Sequence, residues 1–134
     1  MTRERPDVLE QAFMDRVMVA IGARDDVRCW RQNCGVIAVR DERGDIMRVF
    51  RAGPPKGASD ISGIVRPEGW RLEIECKGGR GKRTPAQLQW AEFIRASGGV
   101  YLLATYDDDA GMPGSVALAV EALDDAIHER RSTR

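Results

Sequence analysis

The segment Trp70-Arg71-Leu72-Glu73-Ile74-Glu75-Cys76-Lys77 alternates apolar and polar side chains over most of its length. In an extended strand successive side chains face opposite ways, so Leu72, Ile74 and Cys76 fall on one side and Glu73, Glu75 and Lys77 on the other. An ordinary half-buried strand shows the same alternation. Two glutamates two residues apart on one face nevertheless repel unless a cation lies near them, and the segment runs into Gly78-Gly79-Arg80-Gly81 instead of a tight hairpin turn. A further acid, Asp60, opens the preceding apolar segment, Ile61 to Val65, after the glycine- and proline-rich stretch Gly53-Pro54-Pro55-Lys56-Gly57. If the two segments pair about the turn at Pro67-Glu68-Gly69, Asp60 approaches Glu75. Two carboxylates so placed make a hard oxygen site suited to Mg2+ or Mn2+, which bind through one or two carboxylates, waters and phosphate oxygens. Such an ion polarises a phosphoryl oxygen, acidifies water and neutralises the charge that develops in phosphodiester cleavage. Lys77, one period beyond Glu75, is placed to orient the attacking water or to stabilise a pentacovalent phosphorus. Spacing alone leaves two readings open: this chemistry, or a solvent-facing strand.

Charge adds a second observation. Lys77, Arg80, Lys82 and Arg83 fall within seven residues with no acid among them, while acids collect at Asp107-Asp108-Asp109 and Asp124-Asp125. Net charge is zero, so the field of the whole chain gives no reason to expect a polyanion. A neutral chain can still present one anion-binding face, and the cluster reads equally as a solvated loop. The three cysteines, Cys29, Cys34 and Cys76, are an odd number and argue against a disulfide framework. Structural zinc usually needs four Cys or His ligands; the chain has these three and His128, widely scattered, so reduced thiols are expected. The composition, 43% hydrophobic and 31% charged, is that of a soluble globular protein. No apolar run reaches the ~20 residues of a membrane span. No apolar stretch follows the charges at the N-terminus, so the expected address is the cytoplasm.

The elements that must position these residues follow from periodicity. Pro6 suits a first helical turn, and Leu9, Phe13, Val17, Ala20 and Ile21 recur at helical spacing up to Gly22. Val27 to Arg31 reads as a strand; Val36 to Arg40 and Ile46 to Phe50 form a hairpin about residues 41–45. Ile61 to Val65 and Trp70 to Lys77 are the strands described above. Thr84, with Pro85 next and Gln87 three residues on, predicts a capped helix through Leu88, Ala91 and Ile94 to Ser97. Val100 to Ala104 is an apolar strand. Ser115 is a candidate cap for a last helix whose apolar face is Leu118, Leu123, Ala126 and Ile127. The chain of 134 residues is then one mixed α/β domain, spanning residues 1–134.

Three motifs together carry a resemblance: Gly57-Ala58-Ser59-Asp60, then Glu73-Ile74-Glu75-Cys76-Lys77, then Thr84-Pro85-Ala86-Gln87-Leu88-Gln89-Trp90. In this order they resemble the VRR-NUC family of the PD-(D/E)XK nuclease superfamily, over residues from Glu10 to about Ala104. The resemblance implies a restriction-endonuclease-like mixed β-sheet flanked by helices, in the order α-β-β-β-α-β. It implies Asp60, Glu75 and the main-chain carbonyl of Cys76 as ligands of Mg2+ or Mn2+, and Lys77 as the catalytic lysine. Gln87 would reach back to the site and Glu10 would complete an acidic cluster; a cap and a favourable helix dipole account for these two equally well. Glu73 is not a ligand position, and is read as exposed or as backing the ligands. Arg80, Lys82 and Arg83, with Arg31 and Lys56, would meet DNA phosphates. Nothing resembles a base-reading helix or finger, so specificity would come from shape or a partner. The implied activity is endonucleolytic cleavage of branched DNA, four-way junctions or flaps, by a homodimer in a bacterial or phage-infected cell. The rival readings are a catalytically idle nucleic-acid-binding module and a subunit of a phage DNA-processing complex.

Overall fold

The computed structural model describes residues 5–33, 35–79 and 81–133. Helix α1 (Pro6–Gly22) starts with proline in its first turn, where a missing N–H costs no helical bond. Five strands follow, β1 (Val27–Arg31), β2 (Gly35–Arg40), β3 (Ile46–Ala52), β4 (Ile61–Val65) and β5 (Trp70–Lys77), then α2 (Pro85–Ala96), β6 (Val100–Thr105) and α3 (Gly111–Ser132).

Four strands form one sheet in the order β1-β4-β5-β6. The β1–β4 and β4–β5 pairs are antiparallel; β5 and β6 are parallel, joined through α2. Strands β2 and β3 pair only with each other. With that hairpin set aside, α1, β1, β4, β5, α2 and β6 give the expected α-β-β-β-α-β order, and α3 is added at the end. The mixed sheet flanked by helices is thus observed.

Helices α1 and α3 cover one face. Phe13, Val17 and Ile21 pack there with Leu72, Ile74, Leu102, Leu123 and Ile127, and each such side chain contributes roughly 1.5–3 kcal/mol by leaving water. Helix α2 covers the other face, where Ala91 and Ile94 meet Tyr101. Strand β5 lies inside the sheet between these layers, and Leu72 through Cys76 are all buried. Its period of two therefore sorts side chains between two helical layers, not between core and water. Glu73 is fully buried, so of the two readings offered for it, exposed or backing the ligands, the exposed one is excluded.

The last helix also departs from expectation. It begins at Gly111, not after Ser115, because Pro113 sits in its first turn, where proline is tolerated. Ser115 is buried; its hydroxyl accepts from the Asp107 N–H at 2.8 Å and donates to the Asp107 carbonyl at 3.2 Å, tying the loop after β6 to α3. The buried stripe is Ser115, Ala119, Leu123 and Ile127 at a spacing of four, and Leu118 is exposed.

Candidate active site

Antiparallel register sets Ile61 opposite Ile74, so the next residues out, Asp60 and Glu75, emerge together at the end of the β4–β5 pair. Oδ2 of Asp60 accepts from the Cys76 backbone N–H at 2.9 Å, which fixes that carboxylate against β5. The Asp60 carbonyl accepts from the Gln32 N–H at 2.8 Å, closing the root of the β2–β3 hairpin beside it. The loop into Asp60 turns at Gly57, whose φ is +91°. A Cβ at Gly57 would lie 2.5 Å from the backbone of Ala86, so only glycine lets this loop rest on the first turn of α2.

Glu75 is 2% exposed. Its Oε1 accepts from Nε2 of Gln87 at 2.9 Å and lies 3.5 Å from Nζ of Lys77. Its Oε2 is buried and meets no hydrogen-bond partner among the described residues; the same holds for Oγ of Ser59, the neighbour of Asp60. Burial, and then the charge of Asp60, push Glu75 up to about 7 against the opposing pull of Lys77. A buried carboxylate oxygen without a donor is costly, and a cation or a water is what would satisfy it. The donor set is hard and anionic, and fits Mg2+ or Mn2+ better than a thiol-seeking metal. The Cys76 thiol belongs to the opposite, apolar face, where burial pushes it well above the usual thiol range. Only the backbone of Cys76 stands beside the carboxylates.

The other expected residues divide. Gln87 does both things open to it: Oε1 accepts from the Thr84 N–H at 2.8 Å while the Thr84 hydroxyl accepts from the Gln87 N–H at 3.2 Å, and Nε2 still reaches Glu75. Glu10 comes to the same end of β5, with Oε2 3.8 Å from where a Cβ on Gly78 would stand. Among the described residues no three His, Cys, Asp or Glu side chains converge into a metal cluster, so Glu10 stands near the site without closing a three-acid set. Lys82 and Lys56 are exposed. Arg83 is half-buried, its guanidinium 5.8 Å from the ring centre of Tyr101. Arg31 ends β1 opposite Ile61 and is engaged by α1, donating to Gln11 at 3.0 Å and lying 3.8 Å from Asp15. Arg80 and Cys34 lie outside the described residues. Cys29 is a free thiol directed at the Met18 carbonyl at 3.6 Å, and His128 is exposed on α3.

One contributor escaped the sequence reading. Nε1 of Trp90 donates to Oε1 of Glu73 at 2.9 Å, Ser62 donates its hydroxyl to Oε2, and Arg71 lies 3.6 Å away. Glu73 therefore needs no metal to balance it, and the cation argument rests on Glu75 alone. The available signal was spacing: Trp90 is three residues past Gln87, on the same helical face, as Glu73 is two before Glu75.

Among the described residues no helix is long and apolar enough to cross a membrane. No protein-family model matches the chain, and no curated protein matches it. Among solved structures, one named VRR_NUC domain protein is similar, at 16% identity and a TM-score of 0.47, with 87% of each chain covered.

Proposed function

We propose that this chain is a divalent-cation-dependent nuclease that hydrolyses phosphodiester bonds in DNA, with Asp60 and Glu75 as the carboxylates that hold Mg2+ or Mn2+. The observation that carries the reading is Glu75, a buried carboxylate whose Oε2 is uncommitted, beside Asp60 and with Lys77 at 3.5 Å from its other oxygen. The order of the Asp60, Glu75-Cys76-Lys77 and Thr84-Pro85-Ala86-Gln87 motifs, which resembles the VRR-NUC family, supports it. The main-chain carbonyl of Cys76 would join the two side chains as a ligand. The ion, when bound, supplies neutralisation of charge at the scissile phosphate and a more acidic water.

The chain's own groups do the rest. Gln87, held by its capping bonds to Thr84, donates to Oε1 and so orients the Glu75 carboxylate with Oε2 free. The Cys76 N–H holds Asp60 in register. Lys77 is a fixed cation, its side chain 15% exposed, for the developing negative charge or for the attacking water. Lys82, Arg83, Arg80, Lys56 and Arg31 would bind flanking phosphates without reading sequence. The substrate we propose is branched DNA, a junction or a flap, cut by a homodimer whose two sites would match the two equivalent strands of a four-way junction.

Labelled four-way junction, flap and linear duplex incubated with Mn2+, and in parallel with EDTA, test this directly. Cleavage that needs Mn2+ and disappears in Asp60→Ala supports the assignment. Cleavage that survives Asp60→Ala sinks it, and tight binding without cutting by the intact protein favours an idle binding module.

A further inference from the structure

Helix α2 is held to β5 by Gln87 and, one turn on, by Trp90, whose Nε1 donates to the buried Glu73. At ~100° per residue, two steps of three residues fall ~120° short of the same helical face, so the next aromatic, Phe93, is turned off the sheet. It is 62% exposed, and its ring stacks on that of Trp90 with centroids 5.8 Å apart and planes at 24°. A lone exposed phenylalanine is ordinary. Here the neighbouring ring is pinned by its bond to a buried carboxylate, and the pair borders an open cavity of about 500 Å3.

The cavity lies between α2 and the start of β5, and its walls combine aromatic and cationic groups. Ile94, Gly98 and Gly99 line it together with Trp90 and Phe93. A Cβ at Gly99 would stand 2.7 Å from Cγ2 of Ile94 and 3.1 Å from the Arg71 carbonyl, so bare backbone closes that wall. Arg71 also lines the cavity, about half exposed, donating to Ser62 at 3.2 Å with its Nε 3.6 Å from Glu73. A guanidinium carries several further N–H donors, and these stay available. Arg130 brings a second cation to the rim by donating to the Gly98 carbonyl at 2.6 Å. Among the described residues no acid lines the cavity: Glu73 is fully buried with its own partners, and Glu92, exposed on α2, is not part of the wall.

Flat rings beside guanidinium groups meet the two needs of a nucleotide in a single strand, a surface for its base and a cation for its phosphate. A duplex hides its base faces, and an apolar peptide would bury the arginines without an anion. The site already described lies close by. From Gln87 to Phe93 the helix advances ~9 Å, about two to three nucleotides of a stacked strand at ~3.4 Å each.

We propose that the Trp90–Phe93 pair, with Arg71 and Arg130, is a stacking site for an unpaired base on the strand that leaves the active site along α2. The proposal deepens the nuclease reading above and rests on it. It makes the single-stranded branch of a flap, not a fully paired junction, the part of the substrate this chain holds.

The test measures binding apart from cutting. In EDTA, the anisotropy of a labelled oligothymidine of about twelve nucleotides, within the ~4–16 that such grooves cover, reports strand affinity. Phe93→Ala should raise its Kd by about 10-fold, Phe93→Tyr should restore it, and the Kd of a duplex of equal length should change by less than ~2-fold. Arg130→Gln should reduce the salt slope for the single strand by ~0.7. A 5-iodouracil placed about three nucleotides from the scissile bond should photocrosslink to the peptide that carries Trp90 and Phe93. A chain that does not bind the strand, or binds it equally well as Phe93→Ala, overturns the proposal. So does an equal loss for strand and duplex, or a crosslink elsewhere on the chain. A Phe93→Ala variant that changes only self-association, read by sedimentation, would make this face a protein contact and overturn it too. The nuclease reading fails separately: a strand bound at the ring pair but never cut in Mn2+ sinks that reading and leaves the stacking site standing.

Discussion

Trp90 and Glu73 meet through one hydrogen bond, Nε1 to Oε1 at 2.9 Å, and three residues back along α2 Gln87 meets Glu75 in the same way at the same distance. The helix is therefore held over β5 by two rungs, one on a carboxylate with no chemical duty and one on the carboxylate at the centre of the site.

The first rung predicts a stability effect that can be separated from chemistry. Trp90→Phe keeps a ring against Phe93 but removes the donor to a buried carboxylate, which should cost about 1–3 kcal/mol. Urea denaturation of the metal-free protein checks this. An unchanged midpoint would mean the rung contributes nothing.

The carboxylate on the second rung sets a pH dependence through its burial and the charge of Asp60. Glu75 is raised from 4.5 to about 7 in the folded protein, so between those values the folded chain holds a proton the unfolded chain has lost. Its contribution to stability is then fully present below about pH 4.5 and is lost as pH rises through about 7, a change of roughly 3 kcal/mol. In EDTA, wild type minus Glu75→Gln should show that loss across pH 4.5 to 7, with no further change above. Mn2+ should bind more tightly as the proton leaves, and cleavage should rise over the same window. A flat difference between the two proteins would refute the shift.

Lys77→Met should lower the cleavage rate by about 10²–10³-fold, the scale of losing one fixed group that stabilises developing charge. Mn2+ affinity should hold or tighten, because the substitution removes a cation 3.5 Å from a ligand oxygen. Asp60→Asn should instead lose metal binding along with cleavage, measured by calorimetry. Equal loss of Mn2+ binding in both variants would assign Lys77 a structural part only.

Lys82→Ala with Arg83→Ala should lower the slope of log Kd against log salt by about two, close to one for each phosphate contact. Arg83 also stacks on Tyr101, so the fold of the double variant is checked by circular dichroism first. An unchanged slope places the DNA elsewhere.

Much of this arrangement is legible in the residues. The bounds of β5 follow from alternation and those of β1 and β4 from short apolar runs, and the start of α2 follows from Thr84, Pro85 and Gln87, because capping chemistry is local. The approach of Asp60 to Glu75 follows from one hairpin assumption that the register bears out. What periodicity could not tell was what lies opposite each face. Alternation in β5 reads as core against water, whereas helices cover both sides, and so Glu73 is buried on a partner 17 residues away in sequence. The start of α3 was hidden by Gly111-Met112-Pro113-Gly114, which reads as a breaker when considered alone. The isolation of β2 and β3 was hidden too, since their alternation is the same whether or not a sheet adjoins them.

The contact between Gly57 and Ala86 has a consequence for substitution at Gly57. The loop that delivers Asp60 and the turn that delivers Gln87 lie backbone to backbone, with no room for a methyl group between them. The two segments that bring the Asp60 carboxylate and the Gln87 amide to Glu75 thus share one tight boundary. A single methyl group at Gly57 would therefore reach both halves of the site, pressing on the loop that carries Asp60 and on the helical turn that carries Gln87.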